Sequence, residues 1–196
     1  MLIIVEGVDC SGKTTLVNQL SEFTGFKIHK YSYNGEGEIA CGVTMSHLFG
    51  RFNHSEILDR CHFISNLIYG NVVDGYKHPK AIYDWYVHDV QDRLNQLNTF
   101  FLYCVADYDI LINRLLESKH GEEYVNKDDI RNLLKGYEDF LRNEMRVPYV
   151  ILDSGKLNKE EMFEGAVKGI FKLIEEKDKR RERVHEISKY RSNSTT

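Results

Sequence analysis

Proline is almost missing from this chain, with only Pro79 and Pro148 in 196 residues. So little proline excludes a proline-rich linker, and with no internal repeat it leaves one continuous folded unit as the expectation. The four cysteines, Cys10, Cys41, Cys61 and Cys104, form no C-x-x-C pair and have no histidine cluster beside them. That spacing argues against a structural zinc site or disulfide framework and for reduced thiols in a cytoplasmic compartment. His54, His62, His78 and His88 likewise share no ligand spacing. No apolar run comes near the ~20 residues that a membrane helix requires. Met1 leads into a strand-like stretch rather than a signal peptide, so no membrane partner is expected. The net charge is only −4, which gives no general pull toward nucleic acid.

What the chain does have is a phosphate-binding signature close to its start. Leu2-Ile3-Ile4-Val5 is a β-branched apolar run, read as a short buried strand. Leu16, Val17, Leu20 and Phe23 follow at helical spacing. Between them Gly7-x-x-x-x-Gly12-Lys13-Thr14 therefore sits in the strand–loop–helix setting of a P-loop. Glycines let the backbone of Gly7, Asp9, Cys10, Ser11 and Gly12 curl N–H groups around a phosphate chain. The following helix adds its free N–H groups and positive dipole end. Lys13 supplies a cation to the β and γ phosphates, and the Thr14 hydroxyl is placed to ligate Mg²⁺. This is a nucleoside-triphosphate site.

Along the rest of the chain, strands are expected over residues 26–33, 56–60, 99–106 and 148–153. Helices are expected over 43–49, around Phe63 to Ile68, over 85–97, 109–117 and 128–142, and from Met162 to Ile174. Asp128 or Asp129 would cap the helix at 128–142. Strands alternating with helices call for a parallel sheet covered on both faces, with ligands beyond the carboxyl ends of the strands. Residues 1–176 read as one domain. Residues 177–196 carry alternating charges and read as a helix end with a flexible tail.

Asp59-Arg60, at the end of the third predicted strand, is the second informative pair. A carboxylate there can hold the hydration shell of Mg²⁺, and the guanidinium beside it can grip a phosphate. Tyr31, Tyr33, Phe49, Phe63, Tyr69 and Trp85 are candidates to stack on a base, with Tyr69 preferred.

The stretch from Ile4 to Thr15 resembles the opening of thymidylate kinases and related deoxynucleoside and deoxynucleoside-monophosphate kinases. Asp59 to Gly70, with Ser65 and Tyr69, is similar to that family's Asp-Arg-aromatic segment. Phe101 to Ala106 followed by Asp109 and Arg114, then Gly136-Tyr137 and Tyr149 to Asp153, extend the likeness over residues 2–175, in a pattern nearest the viral members. The resemblance implies an α/β, P-loop nucleoside-monophosphate-kinase-like fold: about five parallel strands, helices on both faces, and a short lid near 117–127. It further implies phosphoryl transfer from ATP to a deoxynucleoside monophosphate, dTMP or a related pyrimidine. Lys13, Thr14 and Thr15 would bind ATP and Mg²⁺, with Asp59 as the second metal residue. Asp9 would face the acceptor, Arg60 would hold its phosphate, and Ser65 and Tyr69 would line its pocket. Arg114 and Lys119 would stand at the root and tip of the lid. A homodimer is a family expectation only.

The sequence departs from the pattern at Cys61, where an aromatic is usual, and at Gly70, where cellular thymidylate kinases have Gln. The base-specificity contacts therefore do not carry over. A deoxynucleoside kinase is the nearest alternative, with Asp9, Glu36 or Glu38 as the base that the 5′-hydroxyl would need. A kinase of a modified base in DNA, or a nucleotide-binding module without chemistry, are further alternatives.

Overall fold

The computed structural model describes residues 1–31, 55–73, 80–96, 98–117 and 127–193. Several expectations lie outside the described residues: the helix at 43–49, the candidates Tyr33, Phe49, His54 and His78, the bases Glu36 and Glu38, and Lys119 with most of the lid.

Five strands form one parallel sheet: β1 (Leu2–Glu6), β2 (Lys27–Lys30), β3 (Glu56–Asp59), β4 (Thr99–Val105) and β5 (Tyr149–Asp153). Their order is β2-β3-β1-β4-β5. β1 pairs with β3 from Leu2↔Glu56 to Val5↔Asp59, and with β4 from Leu2↔Thr99 to Glu6↔Tyr103. The chain thus leaves β1 toward one edge of the sheet and later returns to its other side. That reversal opens a crevice beyond the carboxyl end of β1, which is where such sheets bind ligands.

Six helices cover the sheet among the described residues. They are α1 (Lys13–Thr24), α2 (His62–Val72), α3 (residues 80–96), α4 (Tyr108–Glu117), α5 (Lys127–Asn143) and α6 (Lys159–Asn193). Side chains of the central strands alternate between two cores. Leu2, Ile4, Leu58, Phe101 and Tyr103 pack with α2, α3, α4 and α5. Ile3, Val5, Ile57, Phe100 and Leu102 pack with Leu16, Val17 and Leu20 of α1 and Met162, Ala166 and Ile170 of α6. Burial on both faces is why β1 and β4 read as unbroken apolar runs.

Several bounds differ from expectation. Phe23 falls off the buried stripe of α1 and is 62% exposed, lying edge-on to Phe163. α3 begins at Lys80 and passes through a π-helical segment, Trp85–Val90, before Gln91–Gln96. The wider turn places buried Gln91 against the chain beyond α5. Its amide donates to the Glu144 carbonyl at 2.8 Å and accepts from Arg146 N at 2.6 Å. α5 starts at Lys127, so Asp128 and Asp129 lie in its first turn, where they favour the helix dipole. α6 runs on to Asn193. No described helix is long and apolar enough to cross a membrane.

Phe100 is fully buried against α1 and α6. Phe100→Ala is expected to lower unfolding free energy by about 3–5 kcal/mol, read from the denaturant midpoint at constant m-value.

Candidate active site

β1 ends in Glu6, and the loop that follows is shaped by two backbone requirements. Gly7 has φ 144°, and a Cβ added there would lie 2.1 Å from the Cys104 carbonyl oxygen. Only glycine fits so close to β4. Cys10 and Gly12 take left-handed φ values of 63° and 89°, turning the chain so that α1 begins directly over the crevice. Gly12 is the N-cap of α1, and no side chain caps it. The first N–H groups of the helix are left for an anion.

Lys13 curls into this cradle and donates to the Val8 carbonyl at 2.7 Å. Burial, then the neighbouring Arg60 cation, pull its ammonium from its ordinary value down to about 8. On the crevice floor, the Thr14 hydroxyl donates to Asp59 Oδ2 at 3.4 Å. That hydroxyl–carboxylate pair, at the start of α1 and the end of β3, suits a hard divalent cation with oxygen ligands. The described residues contain no group of three or more His, Cys, Asp or Glu that could hold a metal by themselves. A Mg²⁺ here would therefore draw its other ligands from phosphate and water.

A cavity of about 580 Å³ opens over the loop, lined by Asp9, Cys10, Gly12, Lys13, Thr14, Thr15, Lys30, Tyr31, Asp59, Arg60 and Arg114. A second, of about 390 Å³, continues from Cys10, Gly12, Thr15 and Arg114 to Ser154, Leu157, Asn158 and Met162. Arg114 stands between them. Its guanidinium donates to the Cys10 carbonyl at 3.2 Å, the Ser154 hydroxyl at 2.8 Å and the Ser154 carbonyl at 2.7 Å. It clamps the loop to the turn after β5.

The other wall is built around Arg60, whose φ of 75° is left-handed. Its guanidinium donates to the Gly7 carbonyl at 3.1 Å, pairs with Asp9 Oδ1, and lies 5.0 Å over the Tyr69 ring. Tyr69 donates its hydroxyl to Asp9 Oδ2 at 3.2 Å. Burial works against ionisation of Asp9, but the Arg60 and Lys13 cations outweigh it and hold the carboxyl below its usual range. Burial also opposes the Arg60 charge, and the oxygens of Tyr69, Asp9, Tyr137 and Glu6 more than offset that, raising its pKa.

Of the residues singled out from sequence, Asp9, Cys10, Gly12, Lys13, Thr14, Thr15, Asp59, Arg60 and Arg114 come together at the cavity. Gly7 and Ser11 are buried within the loop and do not line the cavity. Tyr69 is buried at 3% exposure under Arg60 and does not line that cavity. Ser65 points into the core, donating its hydroxyl to Glu6 Oε1 at 3.0 Å. Sequence reasoning gave no site role to Glu6, Tyr137 or Ser154. Glu6 is wholly buried, accepting from Cys61 N at 2.6 Å, Tyr137 OH at 2.7 Å and Gly7 N at 3.4 Å as well as from Ser65. The available signal was a carboxylate ending an otherwise apolar strand.

The parallel sheet with this loop after β1 is a P-loop α/β fold. No family model and no curated protein matches the sequence. Among solved structures, the YorR protein of Bacillus subtilis, in complex with phosphorylated GDP, is 25% identical at TM-score 0.68, covering 89% of this chain and 96% of that one. A deoxyadenosine kinase from M. mycoides, with dCMP and dCDP bound, is 17% identical at TM-score 0.62, covering 88% and 100%. A gluconokinase from Sinorhizobium meliloti is 16% identical at TM-score 0.55, covering 89% and 93%.

Because the Lys13 value is lowered on folding, the unfolded chain holds more protons between about pH 8 and 10.5. The burial penalty is full below that window and fades as pH rises through it. Lys13→Met is therefore expected to stabilise the protein most at pH 7, and urea midpoints should show the advantage shrinking toward pH 10.5.

Proposed function

We propose that this protein transfers the γ-phosphate of ATP to a deoxynucleoside monophosphate, dTMP or a related pyrimidine, in the manner of thymidylate kinases. The observation that carries the acceptor class is the state of Asp9. A nucleoside acceptor needs a carboxylate to take the proton of its 5′-hydroxyl. Asp9 has one oxygen on Arg60 and the other on Tyr69, and its pKa is lowered, so it is a poor base. Among the described residues, the other carboxylate lining the cavity, Asp59, faces Thr14. A monophosphate brings an anionic oxygen that needs no such base, and the cations of Lys13, Lys30, Arg60 and Arg114 line the same cavity.

In this reading the backbone of Gly7 to Gly12 and the start of α1 hold the triphosphate. Lys13 exchanges the Val8 carbonyl for the β and γ phosphates, and Arg60 holds the acceptor phosphate in line with it. Thr14 and Asp59 would hold Mg²⁺, which when bound neutralises charge on the β and γ oxygens. Arg114 fixes the loop, and Lys119 belongs to a lid near 117–127 of a single kinase domain over residues 1–176. A deoxynucleoside kinase is the second reading, favoured by the shared fold of the M. mycoides deoxyadenosine kinase.

The test is ADP release with ATP and Mg²⁺ against panels of deoxynucleoside monophosphates and deoxynucleosides. Turnover is expected with a pyrimidine monophosphate. Lys13→Ala should abolish it, and Arg60→Ala should cut acceptor kcat/KM by about 100- to 1,000-fold. Turnover confined to nucleosides would move the assignment to the second reading.

A further inference from the structure

Arg60 is the side chain best placed to grip an acceptor phosphate, yet it sits in a backbone conformation that arginine rarely adopts, with φ 75°. Such a residue keeps that conformation only where its surroundings over-determine it. The two peptide N–H groups flanking its Cα are both pinned to the end of β1. Arg60 N donates to the Val5 carbonyl at 2.9 Å, as an extension of the β1–β3 ladder. Cys61 N does not continue that ladder and instead donates to the side chain of the next residue, Glu6 Oε1, at 2.6 Å. The carboxylate thus stands in for a backbone carbonyl and turns the chain by one residue. Its other oxygen is held by the Tyr137 hydroxyl at 2.7 Å, from α5, and Ser65 in the first turns of α2 steadies Oε1. Glu6 does not line the cavity, and its Oε2 is 4.0 Å from the Arg60 guanidinium.

We propose that Glu6 is a positioning residue, whose carboxylate, oriented by the Tyr137 hydroxyl, imposes the left-handed backbone at Arg60 that aims the guanidinium at the acceptor phosphate. The assignment rests on the kinase reading above for its acceptor and on the hydrogen bonds alone for its geometry. It predicts a defect confined to one substrate. ATP is bound by the loop and Lys13, which Glu6 touches only through the long Gly7 contact, whereas the acceptor phosphate depends on Arg60.

Glu6→Met, Glu6→Gln and Tyr137→Phe would be compared with the parent protein for acceptor kcat/KM, ATP KM and thermal midpoint. Glu6→Met keeps the volume and removes the acceptor oxygen; acceptor kcat/KM should fall about 100-fold, with ATP KM within about twofold. Glu6→Gln retains an oxygen for Cys61 N and should recover all but about fivefold of that loss, the cost of one weakened hydrogen bond. Tyr137→Phe, which leaves the ring packing intact, should cost about fivefold to tenfold on the acceptor alone. The proposal is overturned if acceptor kcat/KM stays within about threefold in Glu6→Met, or if ATP and acceptor terms worsen together as in a general structural lesion. Should Glu6→Met not fold, Tyr137→Phe decides by the same readout. Should the parent protein phosphorylate no acceptor, the kinase reading fails separately. Crystal structures of the variants that fold then decide the positioning role: an Arg60 φ turned negative upholds it, and one still near 75° overturns it.

Discussion

The carboxylate of Glu6 has no water to face, and the site depends on how that is resolved. An ion buried without partners costs several kcal/mol, so the fold has to bring donors to it from wherever they lie. They come from the P-loop at Gly7, from the start of α2 at Cys61 and Ser65, and from α5 at Tyr137. Those segments are far apart in sequence, 131 residues separating Glu6 from Tyr137. One buried charge therefore couples loop, helix and helix into a single register. Tyr137 in turn stacks on Tyr103 and meets Tyr69 edge-on, extending the same register to β4 and to the ring beneath Arg60.

How much of this was legible in the sequence follows from the range of each interaction. The P-loop could be read because its residue types recur at a fixed local spacing, Gly7-x-x-x-x-Gly12-Lys13-Thr14, between a strand and a helix. β1 and β4 could be read because a strand covered on both faces has nowhere to put a polar residue. The five-stranded parallel sheet followed from strands alternating with helices. What the sequence did not show is long-range or a matter of phase. Phe23 has the right spacing for the core but remains 62% exposed, its ring edge-on to Phe163 of α6. Ser65 and Tyr69 are close in sequence to Arg60, yet which way each hydroxyl points is set by Glu6 and Asp9 on another element. Ser154 carries no motif, and its role exists only because the turn after β5 meets Arg114 from α4.

The loop also sorts its backbone by polarity. Three of its carbonyls face cations, Gly7 toward Arg60, Val8 toward Lys13 and Cys10 toward Arg114. The N–H groups of Val8, Asp9 and Ser11 lie on the far side of the peptide planes that carry those carbonyls. A curled backbone can do this because each peptide offers its donor and acceptor on opposite sides. Without such carbonyls, Lys13 and Arg60 would be like charges crowded in a desolvated space, and Arg60 is already among the forces lowering the Lys13 pKa.

That sorting bears on how the site could act. Electrostatic catalysis is strongest when charges are in place before the reaction and little rearrangement accompanies it. Lys13 gives up only a neutral carbonyl when a phosphate arrives, so the exchange replaces a dipole with an anion. Arg60 gives up more, because Asp9 is an anion and Tyr69 already steadies it. An incoming neutral hydroxyl could not compete with that carboxylate for the guanidinium, whereas a doubly charged phosphate could. In the proposed reading the Asp9–Arg60 pair would act as a threshold favouring an anionic acceptor, a discrimination arising from charge alone, before any contact with a base.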